Sequence, residues 1–330
     1  MVSNTDLSAI DPEVLELVEM LRSPDLNDRL VAAKSLQHLG DEDAIEGLIV
    51  ALDDESPMLQ EIAVTALWEM ANPVAIPALL TCLGSDREEE VRDEALAALK
   101  ELVSPDDLLK LLDAIQQDDE QVQLNVLILL RKIHDAQALP YVLPFFESSS
   151  PDLREAAIIT LRYLNQVVRC EPALALAKDA NVDVRRSAIL TLGHLSDDPV
   201  VPMLCETLTT DADWQCRRNA AQALALHESS DAVPALVDAM EDDHWQVRKF
   251  TARALQSVAN SDTIPCLIKA LSDEYSDVRR DSAIALGNLG NPIVLPALQQ
   301  TLDDPDRDVQ IFSQRAIQQI QDQKAEASSA

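Results

Sequence analysis

The sequence predicts an all-α protein, a right-handed α-solenoid of about ten helix pairs built on repeats of 31–32 residues. Three observations carry this. A long polar side chain returns every 31 or 32 residues, at Arg29, Gln60, Arg92, Gln123, Arg154, Arg185, Arg217, Arg248, Arg279 and Gln310. Seven residues after each stands an aliphatic: Leu36, Leu67, Leu99, Leu130, Leu161, Leu192, Leu224, Leu255, Leu286 and Ile317. Only six glycines and 3% aromatic residues argue against a β-rich or glycine-loop nucleotide fold. A fixed period of this length marks tandem supersecondary units. "DVRRSAILTLGHLS" (183–196) and "DVRRDSAIALGNLG" (277–290) show one such unit written almost identically twice.

Each unit divides into two helices. In the eighth, Val233, Leu236, Val237 and Met240 share one helical face, "EDDHWQ" breaks the pattern, and Val247, Thr251, Leu255 and Val258 share a second face. Prolines 77, 140, 202, 234, 265 and 296 fall early in the first helix, where a missing N–H costs little. Two alanine-rich columns, among them Ala63, Ala188 and Ala220, then Ala66, Ala254 and Ala285, let second helices approach closely. A single pair cannot bury its own apolar face, so the units must stack.

An aspartate stands six residues before the long polar column in seven repeats: Asp54, Asp86, Asp179, Asp211, Asp242, Asp273 and Asp304. In the turn between helices its carboxylate can accept N–H groups opening the second helix. It can also pair with the arginine of its own or the adjacent repeat. Catalysis needs one site, and this pair recurs, so a structural ladder is expected. Ser23, Gln117 and Ser148 replace the aspartate in repeats 1, 4 and 5, where a cap or a local change in curvature is expected.

Formal charge is −32 and uneven, with 33 acidic and 11 basic side chains in residues 1–165. Such a surface repels phosphate backbones, so neither nucleic acid nor an anionic membrane is an expected partner. No apolar run is long enough to span a bilayer, and "MVSNTDLSAID" lacks the pattern of a signal peptide. Five scattered cysteines without a C-x-x-C spacing are expected to be reduced, mostly core-filling thiols in a cytoplasmic protein. The expected organisation is a flexible tail over 1–10, one solenoid over 11–321, and a second flexible tail over 322–330.

The period, the early proline, the turn aspartate and the wording "DxxVRxxAxxALGxL" resemble HEAT repeats, most closely the phycobilisome-lyase HEAT-like subgroup, over residues 11–321. The resemblance implies a binding scaffold as the default use, with one or more proteins as partners. In a phototroph it implies a phycobilisome-related or cofactor-assembly role with a bilin-carrying protein as partner. Its enzymatic alternative is a phycobilin lyase subunit or bilin-handling chaperone, acting on open-chain tetrapyrroles carried by light-harvesting proteins. The HEAT-type deoxyhypusine hydroxylases hold two irons on several His-Glu pairs, whereas His227-Glu228 is the single such pair here. No catalytic, cofactor or metal residues are therefore assigned.

Two features are candidates for partner binding. The residue after the long polar column is Arg186, Arg218, Lys249 and Arg280 in repeats 6–9, against Leu30, Glu61, Asp93, Leu124 and Glu155 in repeats 1–5. This basic row either neutralises the local acidic field or receives an acidic partner. Trp214 and Trp245 stand three residues before that column in consecutive repeats, with Tyr275 nearby. They either cap the apolar seam between layers, or wall a tetrapyrrole site as the lyase resemblance implies, or form part of a binding face.

Overall fold

The computed structural model describes residues 11–329, so the expected tail over 1–10 lies outside the described residues. The chain divides into two compact units after Gln166. Repeats 1–5 form the first unit and repeats 6–10 the second. Every regular element among the described residues is an α-helix or a short 3-10 turn.

Within each unit the second helices pack side by side in chain order, and each first helix packs on its own second helix. This is the stacking expected of an α-solenoid. The aliphatic column is its spine: Leu36, Leu99, Leu130, Leu192, Leu255 and Leu286 are fully buried, and Ile317 is 5% exposed. Both alanine columns are buried too. Five of the six early prolines stand at the first or second position of their helices, and Pro202 at the third of Val200–Thr210. Several first helices begin with a 3-10 turn, whose leading N–H is taken by an Asp, Asn or Ser side chain.

The nearly duplicated peptides share a glycine because backbones meet there. A Cβ on Gly287 would lie 2.7 Å from the Cβ and 2.9 Å from the Cα of Ala316 on the next second helix. One on Gly193 would lie 3.0 Å and 3.1 Å from the same atoms of Ala223. Gly287→Ala is therefore expected to cost about 1–3 kcal/mol by overpacking. An unchanged urea midpoint would show that the two helices separate freely.

The last helix runs Arg307–Ser329. Residues 322–329, expected as tail, thus have helical backbone. The second helix of repeat 8 is Trp245–Val258, opening two residues before the sequence pattern placed it, because Trp245 takes the first helical position after His244.

Candidate functional site

The turn ladder forms, and its geometry explains why glutamine can stand for arginine. Each long side chain folds back to donate to the turn carbonyl six residues earlier. Arg29 reaches Ser23 O at 2.9 Å, Arg154 reaches Ser148 O at 2.8 Å and Arg248 reaches Asp242 O at 2.7 Å. Gln60, Gln123 and Gln310 make the same bond to Asp54 O, Gln117 O and Asp304 O at 2.6, 2.8 and 2.6 Å. Arg92 departs by one residue and donates to Arg87 O.

Arginine adds a second contact that glutamine is too short to make. It reaches the turn carboxylate of the following repeat: Arg29 to Asp54, Arg185 to Asp211, Arg217 to Asp242, Arg248 to Asp273 and Arg279 to Asp304, at 2.6–3.0 Å. The same aspartates accept the N–H two residues on, which is the residue capping the second helix. They therefore position the cap rather than act as it. In repeats 1 and 5 the hydroxyls of Ser23 and Ser148 accept that N–H at 3.2 Å instead.

The basic row is placed on the second helices of unit 2, and most of its charge is answered locally. Arg186 grips Asp213 at 2.7 Å and Asp183 at 2.9 Å. Lys249 meets Asp277 at 2.7 Å, and Arg280 meets Asp277 at 2.7 Å and Asp281 at 3.0 Å. Arg218 differs: its guanidinium donates to the Asn219 side-chain oxygen at 2.7 and 3.1 Å, and no carboxylate lies within 4.0 Å among the described residues.

Trp214 and Trp245 open their helices and stack forward onto the cap residue of the next repeat. Trp214 lies on His244 with ring centroids 3.7 Å apart and planes 8° from parallel. Trp245 lies on Tyr275 at 4.8 Å and 11°. Neither His244 nor Tyr275 makes a side-chain cap bond, so stacking takes the place of capping in these two turns. Arg218 stands over the Trp214 ring and Lys249 over the Trp245 ring, at 5.7 and 5.8 Å. The tryptophans form a ridge along the helix entrances, half-buried, with Tyr275 39% exposed.

Two arginines escaped the sequence reading. Arg253 lies over Phe250 at 5.6 Å and Arg315 over Phe312 at 5.1 Å. For Arg253 the signal was available: residues 214–227 and 245–258 hold five Lys/Arg and no Asp/Glu, in a chain with 58 acidic residues. The structure also shows an apolar groove of about 490 Å³ on the second helices of repeats 1 and 2, lined by Leu30, Val31, Leu39, Met58 and Ile62 among others.

The cysteines are free thiols held protonated by burial, which pushes Cys82 up to about 11 and Cys216 to about 12. His227 contacts Leu192 O at 3.2 Å, and Glu228 is the left-handed cap of its helix. No group of three or more metal-ligating side chains occurs among the described residues. No helix among them is long and apolar enough to cross a membrane.

The ion pairs set a pH dependence. Arg186 holds Asp213, Lys249 holds Asp277 and Arg279 holds Asp304 below the ordinary aspartate value of 3.8. A depressed folded-state pKa stabilises fully above the unfolded value and is lost as pH falls through the folded one. Burial raises Asp281, whose contribution runs the other way. The lowered carboxylates, which also include Asp107, Asp119 and Asp306, outnumber the raised one, and the urea midpoint is expected to stay high above pH 5 and to fall below about pH 4. A midpoint that rises on acidification would contradict these pairings.

A family model described as HEAT repeats matches residues 14–100, 170–249 and 233–318, together more than half of the chain. No curated protein matches the sequence. Among solved structures the chain is similar to an engineered protein, with a TM-score of 0.54 and 21% identity, covering 94% of this chain and 99% of that one. It is also similar to a chain in each of two structures, Kap95p with RanGDP and the Kap95:Nup1 complex. Both give a TM-score of 0.61 and 16% identity, over 96% of this chain and 52% of that one. The chain thus spans about half the length of those two relatives. At these identities the likeness is one of fold.

Proposed function

This chain belongs to the HEAT-repeat family, and on that premise we propose that it is a non-enzymatic protein-binding scaffold or assembly factor. One observation carries the reading. In a protein of charge −32, the second helices of repeats 7 and 8 hold five cations and no carboxylate, and each opens with a tryptophan. Arg186, Arg218, Lys249, Arg280, Trp214 and Trp245 mark the partner-facing half. Half-buried tryptophans supply binding energy, while surface cations steer encounter. The similar structures are those of Kap95p with RanGDP and of the Kap95:Nup1 complex.

The finer reading is a phycobilisome-related or cofactor-assembly role, with a bilin-carrying protein as partner, supported by the repeat wording around Arg185 and Arg279. A phycobilin lyase subunit or bilin-handling chaperone is favoured by cations over two tryptophan rings. The scaffold reading ranks above it because both tryptophans already stack on side chains of this chain. Tetrapyrrole-like absorbance in the purified protein would reverse that order.

The test is affinity purification from the native host with wild type and with Trp214→Ala/Trp245→Ala, read by mass spectrometry. A protein retained by wild type and released faster by the variant is the expected result. No such difference, with helicity intact, would refute the assignment.

A further inference from the structure

We infer that unit 2 docks an acidic peptide segment of a partner protein, whose Asp and Glu side chains are received by Arg218, Arg253 and Arg315. This rests on the scaffold reading and names the chemistry of what the scaffold holds.

The choice follows from asking which arginines of unit 2 lack a carboxylate within hydrogen-bond reach and also lie on an aromatic ring. Arg169, 4.0 Å from Asp198, and Arg307 meet the first condition and not the second. Arg185, Arg217, Arg248 and Arg279 are committed to the turn ladder. Arg186, Lys249 and Arg280 each hold an aspartate at 2.7 Å. Arg218 has an amide oxygen as its partner. Arg253 is 54% exposed, and its Nε lies 4.0 Å from Asp281 Oδ2, too far for a hydrogen bond. Arg315 is exposed and has no carboxylate within 4.0 Å among the described residues.

These three share a second property. Each guanidinium lies over an aromatic ring of its own helix: Trp214 at 5.7 Å, Phe250 at 5.6 Å and Phe312 at 5.1 Å. A guanidinium held on a ring keeps its donors exposed while losing less rotamer freedom on binding. Its fork matches a carboxylate in a way that an ammonium does not. For Arg218 and Arg253 their own helices reinforce the sign, because Trp214–His227 and Trp245–Val258 contribute no carboxylate.

Repeat 9 supplies the remaining element. Where repeats 8 and 10 place Arg253 and Arg315, it places Ile284. Beside it, a notch of about 150 Å³ is lined by Ile284, Phe312 and Ala316 together with the polar side chains of Asn288, Arg315 and Gln319. The surface therefore sets a partly apolar notch, with Arg315 in its wall, in the repeat that follows Arg253. Its complement is a segment with an apolar side chain between acidic ones, whose backbone can meet the notch amides. A polynucleotide would also answer the arginines, but a charge of −32 opposes a long polyanion far more than a short segment.

The test uses the full chain and a fluorescein-labelled peptide of Glu and Asp with one central Leu, followed by anisotropy. Wild type is expected to bind it. Arg253→Glu/Arg315→Glu should weaken binding about tenfold or more, with helicity intact because both side chains are exposed. Replacing the peptide's Leu with Ser should weaken it severalfold. Failure of wild type to bind, or equal binding by the variant, overturns the inference. Partner capture by Arg253→Glu/Arg315→Glu at the wild-type level would overturn it while leaving the scaffold reading intact. Loss of the difference between wild type and Trp214→Ala/Trp245→Ala would instead refute the scaffold reading itself.

Discussion

Arg279→Ala is expected to destabilise the second unit by roughly 2–4 kcal/mol, near the lower part of the range for breaking a buried ion pair. The side chain is 11% exposed and Asp304 is 7% exposed. Truncation removes two 2.7 Å bonds to that carboxylate and a 2.8 Å bond to Asp273 O. It strands a carboxylate with little water around it, and that penalty dominates. Arg279→Gln should recover part of the loss, since glutamine makes the turn-carbonyl bond in repeats 2, 4 and 10. Urea unfolding of the three proteins orders them as wild type, Gln, Ala. An Ala variant as stable as the Gln variant would show that the turn carbonyl contributes nothing.

Leu286→Ala is expected to cost about 2–5 kcal/mol by leaving a cavity in the spine. Leu286 is fully buried. Because neighbouring repeats stabilise one another, the loss should appear as faster hydrogen exchange spread over the helices on either side of 276–289. Exchange confined to that one helix would mean that the spine does not couple repeats. Sequence reasoning ranks the leucine change as the more harmful, on the ground that a ladder arginine keeps its solvation. The burial of Arg279 removes that ground, and the two substitutions are expected to be comparable.

The repeat architecture was legible because period, spine and turn chemistry recur, and each recurrence is an independent reading of the same constraint. The role of the turn aspartate was legible only in outline. That it pairs with the preceding repeat's arginine and positions the cap residue depends on backbone geometry. The basic row could be seen, with neutralisation as one of its two readings, but not the partners: Arg186 meets Asp213 across 27 positions of sequence. Arg253 and Arg315 were missed because they lie one helical turn beyond the row and do not recur in every repeat. The tryptophans were assigned to a seam between layers or to a binding face. Their stacking on His244 and Tyr275 shows a ridge along the helix entrances, a contact that no single-repeat pattern could reveal.

The central claim is that a partner protein meets the second helices of unit 2 through arginines that have no carboxylate within hydrogen-bond reach among the described residues. Its most direct measurement is the association rate of the partner recovered from the native host, at several salt concentrations. Wild type would be compared with Arg253→Glu/Arg315→Glu. Slower association with a flattened salt dependence, and intact helicity, is the expected result. Association as fast as wild type at low salt would contradict the claim and move the binding face away from these helices.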